Sequence, residues 1–394
     1  MNSASAPKLN WDIFCNVVDN FGDIGVCWRL ACELARRGKT VRLWTDDASP
    51  LAWMAPQGHP HVEVIVCAES IPTNQNFELG DVLVDTFDCE FAINLIAAKA
   101  ENISTTDELM PKNSIANDHI QPVWLNLEYL TAESFAERAH ALPYVHHSGA
   151  AQGWTQRYFY PGFNERTGGL LREDDLFERQ KAFDRKAWLK PFLANNQLEF
   201  SEKTTYISLF CYEPAALEAL VDQLATSQVT ACLLVTYGRA ANAVKTLLKH
   251  KNKLQPAYLL PKPLLILYLP QLTQIEFDHL LWSCDLNFVR GEDSLVRAIW
   301  AAKPFIWQIY PQHDGAHHAK LDAFLQMMDA PASLKTAHIA WNASANERQA
   351  APDLRNFPPL DLPMWVKSAE NLSSKLRLQT DLASSLIAFA EKNG

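Results

Sequence analysis

Two short polar clusters carry the residue types that could do chemistry: Asp19, Asn20, Gly22, Asp23 and Gly25 near the start, and Arg290, Gly291, Glu292, Asp293 and Ser294 far along the chain. Each follows an apolar, strand-like run. An open α/β sheet binds ligands just past the carboxyl ends of its strands, so polar turns at such ends are where reacting groups are expected. Two carboxylates at the entry to a helix can grip a cationic group and accept its proton. In the second cluster, Ser294 and the amides of Leu295 and Val296 are expected to open a helix. A helix start attracts phosphate through its first N–H groups and its dipole, while Glu292 is placed to accept hydrogen bonds from a ribose hydroxyl pair. Two such turns predict two lobes facing a central cleft.

Each cluster also has a plainer reading. Asp23 is equally an N-cap or first-turn acid, stabilising its helix by about 1 kcal/mol. Glu292 to Ser294 form a capping turn if Arg290 pairs with Asp293. Phe210, Tyr212, Tyr268 and Phe277, with Gln271 beside Tyr268, could stack on a flat base, yet aromatic residues on strands are more often core. His313, Asp314, His317 and His318 have a spacing that a metal site can use, but Gly315 weakens the helix required and no HExxH pattern follows, which favours solvated or phosphate-facing histidines. The glycine spacing of the first turn fails GxGxxG, and both a nucleophile elbow and a P-loop are missing, so dinucleotide, hydrolase and NTPase chemistry lose their best support.

The elements that position these clusters alternate between strand and helix. The apolar run 13–18 reads as a strand and 26–37 as a helix. Val26, Leu30 and Leu34 recur on one face of that helix and Gly38 stops it; a strand at 41–44 follows. This β-turn-α-β unit makes a parallel sheet. Further strands are expected at 62–66, 82–85 and 122–125, and residues 104–118 read as a polar surface insertion. An irregular loop rich in Pro, Gly and aromatics covers 158–173, between the lobes. The alternation resumes with strands at 206–210, 231–235, 264–269, 286–289 and 305–308 and helices at 214–226, 240–250, 277–283 and 294–302. Residues 342–359 read as loop and 369–392 as terminal helix, expected to cross back onto the first lobe. Domains are therefore placed at 1–195, completed by a helix at about 372–394, and at 196–371, joined near 190–203.

The 394 residues exceed what one core usually fills, and 48% hydrophobic with 20% charged residues describes an ordinary globular protein. A net charge of −10 without a dense basic block argues against a nucleic-acid partner. No signal-peptide pattern opens the chain and the longest apolar stretch is too short to span a bilayer, so a cytoplasmic location without membrane contact is expected. The eight cysteines form no CxxC pair and read as buried free thiols rather than a disulfide framework or zinc ribbon.

The blocks WDIFCNVVDNFGDIGVCWRL, VWLNLEYL, GFNERTGGLLRE, LLWSCDLNFVRGEDSLVRA and PFIWQIYPQ resemble the bacterial protein-arginine rhamnosyltransferases that modify elongation factor P, the EarP family. The resemblance runs from about residue 11 to about residue 325. It implies an α/β GT-B fold of two Rossmann-like lobes, with the acceptor on the first and the sugar nucleotide on the second. It also implies dTDP-β-L-rhamnose as donor, elongation factor P as acceptor, inversion at the sugar's anomeric carbon and no cofactor or metal. By resemblance Asp23 is the general base, with Asp19 as its partner carboxylate and Glu292 counted with them in the catalytic set. Asn20, Phe210, Tyr212, Phe277 and Arg290 would bind the donor, with Gln271, or Gln274 in its place, on the base. Glu292, Asp293 and Ser294 would hold ribose and diphosphate.

These residue types suit a guanidinium nucleophile. Its pKa lies above about 12, so a carboxylate cannot deprotonate it beforehand. A carboxylate can pair with it, localise charge away from the attacking nitrogen, and take the proton as the C–N bond forms. Two rivals remain open: a GT-B transferase or epimerase using another nucleotide sugar and a non-protein acceptor, and a non-catalytic binder of basic surfaces.

Overall fold

The structure is a computed structural model that describes residues 9–18, 21–67, 78–87, 89, 92–94, 96, 121–149, 151–254, 263–311 and 315–394. Its strands are β1 (Asn10–Cys15), β2 (Thr40–Thr45), β3 (Val62–Val66), β4 (Val82–Thr86), β5 (Val123–Leu127), β6 (Pro143–Val145), β7 (Thr155–Phe159), β8 (Thr205–Leu209), β9 (Ala231–Val235), β10 (Leu264–Tyr268), β11 (Leu286–Arg290) and β12 (Phe305–Gln308). The helices are α1 (Gly22–Arg36), α2 (Leu51–Met54), α3 (Ser134–Ala139), α4 (Leu176–Ala182), α5 (Arg185–Ala194), α6 (Leu217–Ala225), α7 (Arg239–Leu254), α8 (Gln274–Ser283), α9 (Gly291–Ala301), α10 (Ala316–Met327), α11 (Ala332–Asn342), α12 (Ala345–Ala350), α13 (Leu362–Arg377) and α14 (Leu382–Asn393). The polar insertion expected at 104–118 lies outside the described residues.

The chain divides into two compact units, Met1–Glu173 with Gln379–Gly394, and Asp174–Leu378. In the first, seven strands lie in the order β3-β2-β1-β4-β5-β7-β6, and β6 alone runs antiparallel, against β7. The central strands are buried on both faces, as parallel strands flanked by helices must be, which is why they read as unbroken apolar runs rather than alternating ones. Ile13, Val84 and Leu125 on the sheet pack with Cys27, Leu30 and Leu34 of α1 into one core, and Leu382, Ala383, Leu386 and Ala390 of α14 complete it. Arg37 ties this terminal helix down, pairing with Asp381 at 3.0 Å and with the fully buried Glu33 at 2.9 Å. The Gly-rich loop is shaped for the same purpose. Gly169 sits at φ +75°, where a side chain would collide with the carbonyl of Thr380, and the Leu382 amide donates to Leu170 O at 3.0 Å.

The second unit holds five parallel strands in the order β10-β9-β8-β11-β12. Leu189 and Leu193 of α5 pack with Tyr206, Cys232, Leu267 and Leu280 in its core, so the segment from Asp174 through α5 belongs with this sheet. All eight cysteines are free. Burial pushes the Cys211 and Cys232 thiols up to about 12, as expected of inert packing groups. Among the described residues no helix is long and apolar enough to cross a membrane.

Candidate active site

Both sheets reverse direction in strand order once near the middle, between β1 and β4 in the first unit and between β8 and β11 in the second. At such a switch point the flanking helices leave on opposite faces, opening a crevice at the strands' carboxyl ends. The two polar clusters fall at these two places.

In the first unit the turn after β1 runs into α1, which starts at Gly22 rather than at Val26. Asp23 therefore stands in the first helical turn, 7% exposed, and its Oδ2 accepts the Val18 amide at 2.9 Å. That bond folds the carboxylate back over the end of β1. The first-turn placement of the plainer reading is thus real, but the N-cap is Phe21, so Asp23 does not cap the helix. Below the turn lies a dry floor: Cys15, Cys27 and Thr86 are all buried, with Cys27 Sγ 3.4 Å from Thr86 Oγ1. A hydrogen bond with Cys27, then burial, lift the Cys15 thiol well above its ordinary value, and the nearby Asp23 charge adds to that. Asp19 and Asn20 lie outside the described residues. A further carboxylate at this turn escaped the sequence reading: Asp46, just past β2, accepts the Val17 amide at 2.9 Å.

In the second unit β8 and β11 deliver an aromatic and cationic cluster. The Arg290 guanidinium lies 4.5 Å from the ring centroids of both Phe210 and Tyr212 and donates to Cys211 O at 3.2 Å. Phe277, on α8, meets Phe210 edge-on at 5.3 Å. Tyr212 is fixed from three further sides. Its amide donates to Gln308 Oε1 at 2.9 Å, its ring meets Tyr310 edge-on at 5.6 Å, and Arg239 lies over it at 4.9 Å. Arg239 in turn pairs through both of its donor edges with Glu213, and this hydrogen bonding holds the Glu213 carboxyl below its usual range. Tyr310 and Arg239 were not picked out from sequence.

The helix after β11 begins at Gly291, three residues before the Ser294 start expected. Its opening amides belong to Gly291, Glu292 and Asp293, whereas Leu295 and Val296 lie inside it. Gly291, at φ +64°, makes the sharp exit from β11, and Trp307 Nε1 donates to its carbonyl at 2.7 Å. The Ser294 hydroxyl turns inward, accepting the Arg290 amide and donating to the Arg290 carbonyl. Glu292 is partly exposed and pairs with Lys320 at 2.7 Å. Asp293 is also partly exposed in this first turn.

Of the remaining candidates, Tyr268 is exposed with Lys245 over its ring at 5.0 Å, Gln271 is exposed, and Gln274 is buried at the start of α8. His318 pairs with Glu347 at 3.1 Å and lies against the tilted ring of His317 at 4.1 Å, while His313 and Asp314 lie outside the described residues. Among the described residues no group of three His, Cys, Asp or Glu could hold a metal ion.

Two Rossmann-type units with polar turns at their switch points define the GT-B class of glycosyltransferases. The plant enzyme UGT89C1 of Arabidopsis thaliana, solved with quercetin, shares this fold with a TM-score of 0.51 at 14% identity, covering 98% of this chain and 100% of that one. Within the class, the model of the family described as Elongation-Factor P (EF-P) rhamnosyltransferase EarP matches residues 11–391, and the chain belongs to that family. It is 36% identical to the protein-arginine rhamnosyltransferase of Pseudomonas aeruginosa, covering 96% of this chain and 98% of the relative. It is 35% identical to that of Shewanella oneidensis, covering 99% and 100%. A solved structure from work on EarP-mediated arginine glycosylation of translation elongation factor EF-P matches with a TM-score of 0.58 at 27% identity, over 98% of this chain and 99% of that one.

Proposed function

We propose that the protein transfers L-rhamnose from dTDP-β-L-rhamnose to an arginine side chain of EF-P in the cytoplasm, inverting the anomeric carbon and using neither cofactor nor divalent metal. The observation that carries this reading is the family match over residues 11–391, joined to the cluster of Phe210, Tyr212, Phe277 and Arg290 at a switch point. Aromatic faces suit a thymine base and a deoxysugar. The Arg290 guanidinium and the opening amides of α9 offer positive charge to a diphosphate. Glu292 and Asp293 in the same turn are assigned to the ribose and its neighbourhood, with Ser294 shaping the turn through the backbone of Arg290. Gln274 or Gln271 reads the base.

The acceptor arginine is assigned to Asp23 and Asp19. Paired with a carboxylate, the guanidinium keeps its charge on the nitrogens that do not react, leaving the remaining nitrogen to attack. As the C1–N bond forms, the C1–O bond to the diphosphate breaks and dTDP leaves with the electron pair. The proton of the attacking nitrogen passes to Asp23, and the glycosylated guanidinium keeps its single positive charge. Growing charge on the leaving oxygen is met by fixed dipoles and Arg290, which do not reorganise during the step.

Asp23→Asn keeps the acceptor oxygen that holds the Val18 amide, so the turn survives while the base is removed. The expected outcome is a dTDP-rhamnose affinity within about twofold of wild type by calorimetry, and transfer reduced by at least ~100-fold in the mass spectrum of co-expressed EF-P. Appreciable modification by the variant refutes the base role.

A further inference from the structure

Behind the proposed donor seat lies an ion pair that the chemistry does not use. Arg297 Nε and Nη2 donate to Asp278 Oδ1 and Oδ2 at 2.8 and 2.7 Å, a two-pronged contact between α9 and α8. Both side chains are almost sealed from solvent, at 2% and 1% exposure. Their places along the two helices matter. Asp278 follows Gln274 by four residues and Phe277 by one; Arg297 follows Asp293 by four and Ser294 by three. Residues three or four apart share a helix face, so the pair sits one turn behind the residues that α8 and α9 present at their N-terminal ends.

We infer that Asp278 and Arg297 are positioning residues that set the spacing and rotation of α8 against α9, and through them the aperture of the sugar-nucleotide seat. This rests on the donor reading given above. A sealed ion pair is a poor device for stability alone, because apolar side chains of similar volume pack as well or better without desolvating two charges. What a planar fork adds is geometry: two parallel N–H···O bonds fix distance and twist at once, whereas an apolar contact lets two helices slide. The groups on either side need that register. Phe277 and Gln274 come from α8, and Glu292, Asp293 and the opening amides come from α9.

The test is the apolar double variant Asp278→Leu, Arg297→Met, compared with wild type in thermal unfolding, dTDP calorimetry and steady-state transfer. The expected result is a melting temperature within a few degrees of wild type. With it come at least tenfold weaker dTDP binding, a donor KM raised in proportion, and an unchanged KM for EF-P. A well-folded double variant with wild-type dTDP affinity overturns the positioning role. If the double variant does not fold, Arg297→Lys, which keeps the charge and loses the fork, carries the same test. It should bind dTDP several-fold more weakly while its rate at saturating donor stays near wild type, and unchanged affinity overturns the inference. Wild-type protein that fails to bind dTDP would instead overturn the donor reading itself.

Discussion

Arg290 is 6% exposed and holds two aromatic rings and a carbonyl at once. Lysine has the charge but neither the plane that lies flat on Phe210 and Tyr212 nor the fixed fork that reaches Cys211 O. Arg290→Lys is therefore expected to weaken dTDP binding by roughly tenfold to a hundredfold, about 1–3 kcal/mol, in a calorimetric titration. A second residue contributes to acid sensitivity. His338 is fully buried against Phe305, its Nδ1 3.0 Å from Leu334 O, and burial pushes its imidazole down to about 4. Unfolded, the same group titrates near 6.5. Between these values the unfolded chain binds the proton and the folded one does not, so stability falls as pH drops from about 6.5 to 4, by about 3 kcal/mol in all. Denaturant melts across this range should show the slope in wild type and a flatter curve in His338→Leu.

At the scale of elements, most strands were legible because parallel, buried strands are continuous apolar runs between turns; 231–235 and 305–308 coincide with β9 and β12, and 62–66 with β3, an edge strand legible from its alternating valines although it is only partly buried. Helix starts were less legible, and the cause is local. Thr273 and Glu276 form a reciprocal cap that begins α8 at Gln274 instead of Phe277, and Ser344 with Glu347 does the same for α12 inside a stretch read as loop. Both are S/T-x-x-E patterns, visible in the sequence to a reading that weighs caps as heavily as apolar periodicity. Asp46 and Gln308 had no such signal. Asp46 reaches the first turn because β2 registers Thr45 beside Cys15, and Gln308 reaches Tyr212 from the end of β12. Partners of this kind appear only once register is known. The returning helix α14 is itself testable. Leu386 is fully buried in the first unit's core, so Leu386→Ala should cost about 2–4 kcal/mol in chemical unfolding, while dTDP affinity, which the proposed function assigns to the second unit, is expected to stay at the wild-type value.

At the scale of the molecule the same plan occurs twice. Both sheets follow the order 3-2-1-4-5 from their first strands, the first extended by β7 and β6, and each carries its polar cluster at the reversal. Repetition of this sort leaves the chemistry to the turns, since the two scaffolds differ little in what they offer. Carboxylates stand at one reversal, and an arginine with aromatic rings at the other. The family resemblance supplied what spacing could not, namely which donor and which acceptor such turns are expected to serve.

The return of the chain to its first unit also bears on how the protein is made. The strands and α1 have all been synthesised by Glu173, yet the helix that closes their core arrives only after Gln379, about 200 residues later. At ~5–20 residues per second the ribosome needs roughly 10–40 s to cover that stretch, during which the apolar flank of α1 stays open to water. The second unit, contiguous from Asp174 to Leu378, has no such wait. Nascent chains should thus pass through a stage in which the first unit's sheet is complete but its core is not yet closed and needs shelter from aggregation while the second unit is still being made.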